Sequence, residues 1–334
     1  MKAFEYAAPT HTLGVLELLS DDAESTAILA GGTDLVPLMA KMIVTPRRVV
    51  NITEVAGLRG IEADSLGVTI GAVTSLDDLL ESPELAEFPA IGQAIAGINS
   101  VTLQAQGTIG GELLQRPQCW YFRGGHGLLA DDGRCVEEGD NRYHAIFANA
   151  GPAKFVSPSR IAPALIALNA RARIVGPGVE EETIIPVEAL FRTPRDERQR
   201  EHVIGPNQLL THFLLPRGER SANATYEVRQ TAGPDFPLAS AAVALWIEDG
   251  IVRDANIVLG QVAPTPWVSY AAVQALIGQP VNLATATAAG EAAVEAATPL
   301  SDNGYKVQLA SVAVRRAILL AAGQETGGID LVSG

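Results

Sequence analysis

The chain has 334 residues, 47% of them hydrophobic and 19% charged, and a formal net charge of −14. That length holds two or three domains with proper cores. The acidic balance excludes nucleic acid or an anionic membrane as the main partner, and the lack of any run of about 18 apolar residues excludes a helical membrane span.

Met1–Tyr6 reads as the start of a strand and lacks the apolar core of a secretory signal, so a cytoplasmic location is expected. Thr12–Leu19 is a predicted helix with Leu13, Leu16 and Leu19 on one face. A strand over Ala27–Ala30 runs into Gly31, Gly32, Thr33 and Asp34, and a helix over Val36–Met42 follows. Strands are expected at Arg48–Asn51 and Leu66–Gly71, then helices at Ser75–Glu81, capped by Ser75, and at Phe88–Ile98. Residues 115–141 break the pattern. Their aromatics, Trp120, Tyr121 and Phe122, argue for a packed loop. Beyond it come a helix at Ser159–Ala170, a strand at Arg171–Gly176, a helical turn at Pro186–Phe191, a charged solvated loop at Thr193–His202 and a strand at Leu209–Leu215. The run Glu180–Glu182 reads as a solvated turn. A domain boundary is placed near Pro216–Asn223. Three antiparallel strands follow, Thr225–Val228, Ala239–Ile247 and Ile251–Leu259, with a hairpin turn at Glu248–Gly250. Helices close the chain at Ser269–Ile277, Thr285–Ala297 and Lys306–Ala322.

Two glycine turns carry the chemistry. Leu29-Ala30-Gly31-Gly32-Thr33-Asp34-Leu35 and Thr108-Ile109-Gly110-Gly111 each set a hydroxyl beside a Gly-Gly pair. Glycines let the backbone turn sharply and approach a ligand with no Cβ in the way. Successive N–H groups in such turns form anion-binding concavities. The two turns suit the two phosphates of one dinucleotide. Neither fits the GxGxxG or Walker A pattern, which disfavours a nicotinamide Rossmann site or an ATP-hydrolysing P-loop. Only two cysteines occur, Cys119 and Cys135, against the four or so that an iron–sulfur cluster takes. They make no disulfide framework, and a reducing compartment is the simpler assumption.

In order, these pieces resemble the FAD-binding subunit of molybdenum hydroxylases: the carbon monoxide dehydrogenase medium subunit, the xanthine dehydrogenase flavin domain and the 4-hydroxybenzoyl-CoA reductase β subunit. The likeness rests on the two turns, on Asn141–Ala145, on Leu259–Pro264, and on Asn303–Val307 with Val314–Ala317. It implies an α+β fold: a two-subdomain FAD module of the vanillyl-alcohol-oxidase-like type at residues 1–218, its internal boundary near 53–60 and an inserted loop at 115–141. A domain at 223–325 follows, with a three-stranded antiparallel sheet and a helical bundle. By the resemblance, Leu29, Ala30, Gly31, Gly32, Thr33, Asp34 and Leu35 wrap the FAD pyrophosphate, while Thr108, Ile109, Gly110 and Gly111 hold its other side. The Thr33 and Thr108 hydroxyls and the N–H groups of Gly31, Gly32, Gly110 and Gly111 are the expected donors, and Asp34 is expected to cap the next helix or bind a ribose hydroxyl.

The implied role is electron transfer, with no catalytic side chain and no metal in this chain. Molybdopterin would reside in a large partner subunit and 2Fe–2S clusters in a small one, assembled as a dimer of heterotrimers. Electrons would pass through the clusters to FAD and on to an external acceptor. Export of the folded complex on a partner's signal stays open.

Departures from the family pattern are Glu112 for an asparagine, Arg160 for an aspartate that contacts flavin, and Glu227 for a lysine near the ring. Arg160 and Glu227 compensate as a pair, or mark a site that no longer holds flavin in the usual pose. Gln115–Arg123 resembles the start of a loop that carries a 4Fe–4S cluster in some members, yet two of its ligands are missing, so a relict loop with two reduced cysteines is expected, and no 4Fe–4S cluster. His144 reads as a hydrogen-bonded structural residue. The alternative function is a flavin-depleted structural subunit that docks the same partners. A flavin enzyme acting alone is disfavoured, since no substrate-directed acid–base or nucleophile arrangement is found.

Overall fold

The computed structural model describes residues 1–217 and 221–327. The chain begins with a small parallel sheet. Strands β1 (Glu5–Ala7), β2 (Thr26–Leu29) and β3 (Arg48–Asn51) lie in the order β1-β3-β2. Parallel neighbours need crossovers, and α1 (Thr12–Leu18) and α2 (Leu35–Ala40) lie in them. α1 buries Val15 and Leu16 against Val50, Ile52 and Leu58.

A five-stranded antiparallel sheet follows. β4 (Ile61–Ala63), β5 (Gly67–Gly71), β6 (Arg171–Val175), β7 (Glu182–Pro186) and β8 (Leu209–Pro216) take the order β4-β5-β8-β6-β7. Between β5 and β6 run seven helices: α3 (Leu76–Glu81), α4 (Pro89–Ala96), α5 (Val101–Gln106), α6 (Ile109–Leu113), α7 (Trp120–Arg123), α8 (Arg134–Glu138) and α9 (Ala162–Ala167). Ser75 caps α3 as expected, accepting from the Asp78 N–H at 3.1 Å.

The last third pairs β9 (Ala222–Val228), β10 (Ala239–Glu248), β11 (Ile251–Gly260) and β12 (Trp267–Val268) in the order β12-β11-β10-β9. The short β12 makes this sheet four-stranded where three strands were expected. The β10–β11 turn is Asp249-Gly250, both at positive φ, as a two-residue hairpin with the sheet's twist demands. Side chains alternate along β10. Ala241, Val243 and Leu245 face α10 (Tyr270–Leu276), α11 (Leu283–Ala293) and α12 (Tyr305–Ala321), while Ala242 and Ala244 join the core of α4 and α9. The alanines permit close approach on both faces. No helix among the described residues is long and apolar enough to cross a membrane.

Candidate functional site: two glycine bends and a buried ion pair

The two glycine turns touch. A Cβ on Gly31 would fall on the Gln106 carbonyl oxygen and 3.3 Å from the Gly107 Cα, so only glycine allows this backbone contact. Gly32 adopts φ +73°, and Thr33 is exposed. Among the described residues, the N–H groups of Gly32, Thr33 and Asp34 take no protein acceptor. Leu29, Ala30 and Leu35, which frame the bend, are half-buried. Free amides on a positive-φ glycine bend are the donor set that a diphosphate requires, and these residues fit the cofactor that the sequence implies.

The second bend is used differently from expectation. Thr108 caps α6, its Oγ1 accepting from the Gly111 N–H at 3.2 Å. The Ile109 and Gly110 N–H groups donate to the Thr74 and Ala72 carbonyls at 3.0 and 2.9 Å. The amides of Gly110 and Gly111 are therefore already engaged. A Cβ at Gly110 would lie 2.8 Å from the Ala72 oxygen, so this glycine serves packing against the end of β5. The Thr108 hydroxyl keeps its proton to donate.

Asp34 neither caps α2 nor points at open cleft. Its Oδ2 accepts from the Arg116 N–H at 2.8 Å and its Oδ1 from Arg123 Nη2 at 2.7 Å. The helix-capping expectation is thereby corrected: both oxygens go to the segment 115–141. That segment is packed, as its aromatics suggested. Phe122, Leu128 and Leu129 bury against Leu38 of α2.

The stretch 193–202 is a loop exposed at 195–198, as expected, yet two of its carboxylates bind elsewhere in the fold. Glu197 accepts from the Leu128 and Leu129 N–H groups, both at 2.8 Å, and Glu201 pairs with Arg116 at 2.7 Å. Burial holds the neighbouring His202 neutral, its pKa lowered to about 4.

Arg160 and Glu227 meet as a buried ion pair, Nη1 to Oε2 3.3 Å, with side chains 3% and 7% exposed. Arg160 also donates to the carbonyls of Gly97, Pro234 and Asp235 and lies 5.5 Å over the Phe236 ring. Arg229 Nε stands 3.7 Å from Glu227. Glu112, the third departure from the family pattern, joins the same group. Its oxygens accept from Ser159 Oγ and from the Arg160 N–H, each at 2.6 Å. This link was missed from sequence, where Glu112 and Arg160 lie 48 positions apart. Burial drives the Glu112 pKa up to about 7, against the downward pull of Ser159 and the Arg160 backbone. Burial likewise raises Glu227, opposed by Arg160 and Arg229.

A pH experiment follows. Between about pH 4.5 and 7 the native Glu112 holds a proton that the unfolded chain has released, so its contribution makes stability fall as pH rises. His144 and His202, both lowered to about 4 by burial, act oppositely between 4 and 6.5. Glu112→Gln removes only the falling contribution. Its stability relative to the parent should therefore rise from pH 5 to pH 7, read by urea unfolding midpoints. A constant difference would refute a neutral Glu112.

The other motifs are structural. Lys306 Nζ donates to the carbonyls of Gln261, His144 and Tyr143 at 2.7, 3.1 and 3.3 Å, and Asn303 donates to those of His144 and Ala145. These bonds tie Asn141–Ala145, Leu259–Pro264 and Asn303–Val307 together. His144 Nε2 lies 3.1 Å from Cys119 Sγ. Burial raises the Cys119 thiol and lowers His144, a pairing of neutral groups. Cys119 and Cys135 are free thiols, and among the described residues no group of three or more His, Cys, Asp or Glu is placed to hold a metal ion.

The family matches make this chain an oxidoreductase component with an FAD-binding domain. The chain belongs to the family described as FAD binding domain in molybdopterin dehydrogenase, which matches residues 2–218, and residues 224–321 match the CO dehydrogenase flavoprotein C-terminal domain. It is 29% identical over 316 residues to the aldehyde oxidoreductase FAD-binding subunit PaoB of Escherichia coli (strain K12), covering 93% of this chain and 95% of that protein. It is 27% identical to the carbon monoxide dehydrogenase medium chain of Afipia carboxidovorans, covering 95% and 96%. Quinoline 2-oxidoreductase from Pseudomonas putida 86 superposes with a TM-score of 0.75 at 23% identity, over 97% of this chain and 99% of that one.

Proposed function

We propose that this chain is the FAD-carrying electron-transfer subunit of a molybdenum hydroxylase complex. It takes electrons from 2Fe–2S clusters in a small partner and passes them to an external acceptor, with molybdopterin in a large partner and a dimer of heterotrimers as the assembly. Residues 1–218 act as the FAD module and 223–325 as the second domain. The carrying observation is the contact between the two glycine bends, one of which presents unengaged amides. When bound, the flavin ring supplies the redox chemistry, and the protein supplies position and electrostatics.

In this reading the Gly32, Thr33 and Asp34 amides bind phosphate oxygens, and the Thr33 and Thr108 hydroxyls add donors. Leu29, Ala30, Gly31 and Leu35 hold the first bend, and Ile109, Gly110 and Gly111 anchor the second to β5. Arg160 and Glu227 cancel each other's charge at the positions that the family resemblance assigns to the ring end. A flavin-free docking subunit is the second reading, supported by how completely Arg160 is occupied by protein acceptors. The test is mild purification from the native cell. A co-purifying chain with 2Fe–2S clusters and a larger molybdopterin chain are expected; recovery of this chain alone would contradict the assignment.

A further inference from the structure

The segment 115–141 interrupts the fold between α6 and α9, and its thiols are free. Its firmest attachment is to the first glycine bend. Asp34 stands in that bend, and both its carboxylate oxygens are taken by the segment, one by the Arg116 N–H and one by Arg123 Nη2. The ion pair is sheltered, with Arg123 14% and Asp34 19% exposed, and charge-assisted hydrogen bonds in such settings are the strong ones.

Arg123 is itself locked. Its Nε donates to the Pro117 carbonyl and its Nη2 to the Arg116 carbonyl, both at 2.8 Å, which closes residues 116–123 into a ring. Phe122 lies under both guanidiniums, 4.9 Å from Arg116 and 5.8 Å from Arg123. From the far side Glu201 pairs with Arg116, and Glu197 holds the Leu128 and Leu129 amides. Beneath, Phe122 and Leu129 pack on Leu38, one turn into the helix that the bend starts. The bend is thus fixed at its carboxylate and through its helix.

We infer that the segment 115–141 is a clasp on the phosphate-binding bend: Arg123, gripping Asp34, holds Gly31–Asp34 in its binding shape and sets how long a dinucleotide stays bound. The inference rests on the FAD reading above and adds a role for the inserted segment. The geometry also settles a charge problem. A bare carboxylate beside a diphosphate would repel it, and Arg123 neutralises that carboxylate without withdrawing the neighbouring amides.

The test uses the full-length chain with Arg123→Ala, and Arg142→Ala as the control. Arg142 lies one residue beyond the segment and pairs in solvent with Asp140 at the segment's end. FAD release is followed by the rise in flavin fluorescence on dilution. Arg123→Ala should release FAD at least about tenfold faster than the parent, since loss of a sheltered charge-assisted bond commonly shifts an equilibrium by that factor or more. Arg142→Ala should match the parent. Arg123→Ala combined with Asp34→Asn should recover part of the loss, because the stranded carboxylate is gone. Parent-like release from Arg123→Ala overturns the clasp.

Amide hydrogen exchange of peptides spanning 29–40, measured without flavin, separates the clasp from the FAD reading. Faster exchange in Arg123→Ala but not in Arg142→Ala supports the clasp even if the parent binds no FAD, a result that would remove only the cofactor assignment. Unchanged exchange overturns it.

Discussion

Gly31→Ala should cost the protein its flavin and about 3 kcal/mol of stability, the upper range for forcing extra volume into packed structure. The reason is local and steric. The added methyl would fall on the Gln106 carbonyl oxygen, and that atom belongs to backbone at the end of α5, which cannot swing away as a side chain can. Relief requires the two glycine bends to part. Separation moves the Gly32–Asp34 amides away from the Thr108 hydroxyl, so loading should fail together with stability. Gly32→Ala tests a different cause. A Cβ there meets only the side chains of Leu29 and Val36, at 3.3 Å, but φ is +73°. Strain of about 1–2 kcal/mol is expected, with weakened rather than absent loading. Flavin content per chain and urea unfolding of both variants separate the two. Equal, mild effects would show that the bends are not in the contact described.

Arg160→Met should destabilise the protein by about 3 kcal/mol, because it leaves a buried carboxylate with only the longer 3.7 Å contact to Arg229, and breaking one half of a buried pair costs far more than the pair contributes. Glu227 is 7% exposed, and the nearby Arg229 already donates to the Gly97 carbonyl at 2.9 Å. The same change frees the carbonyls of Gly97 and Asp235 from a donor that links the first part of the chain to the β9–β10 loop. Arg160→Met with Glu227→Leu should recover at least half of the loss, as replacing both partners of a buried pair by apolar groups is often near neutral. A double-mutant cycle by urea denaturation reads this coupling. Additive losses would mean that Arg160 and Glu227 do not act as one unit. Glu112→Gln belongs to the same network, and its small effect at pH 5 contrasts with these losses.

Local rules carried far in this sequence where one signal decided the outcome. Ser75 announced a helix start, Glu248–Gly250 a tight hairpin turn, and the apolar run Ala239–Ile247 a strand, which the fold buries on both faces. The elements without such a signal were missed. α5 buries no residue, so Val101–Gln106 shows no apolar stripe. β4 and β7 are sheet edges whose outward residues include Glu62 and Glu182, and the latter read as part of a solvated turn. The four-stranded count of the last sheet depends on β12, two residues long.

At the site, the glycine bends were legible as sharp turns because Gly-Gly pairs lift the Cβ restriction on the backbone. Their division of labour was not. Gly110 reads like Gly31 in sequence, but only the fold shows that its amide faces Ala72. The partners of Asp34 lie 82 and 89 positions away, and no spacing rule reaches that far. The charged run 193–202 is solvated at 195–198 as read, but the bonds of Glu197 and Glu201 to the inserted segment were hidden for the same reason. The opposite charges of Arg160 and Glu227 were readable as a pair, whereas Glu112 looked like an isolated change.

The most direct measurement is the stoichiometry of FAD bound to the purified full-length chain. It is read from absorbance near ~450 nm and from the flavin released on denaturation. The account predicts about one FAD per chain, lost in Gly31→Ala and retained in Arg142→Ala. A parent chain that releases no flavin and shows no saturable uptake of added FAD would contradict it.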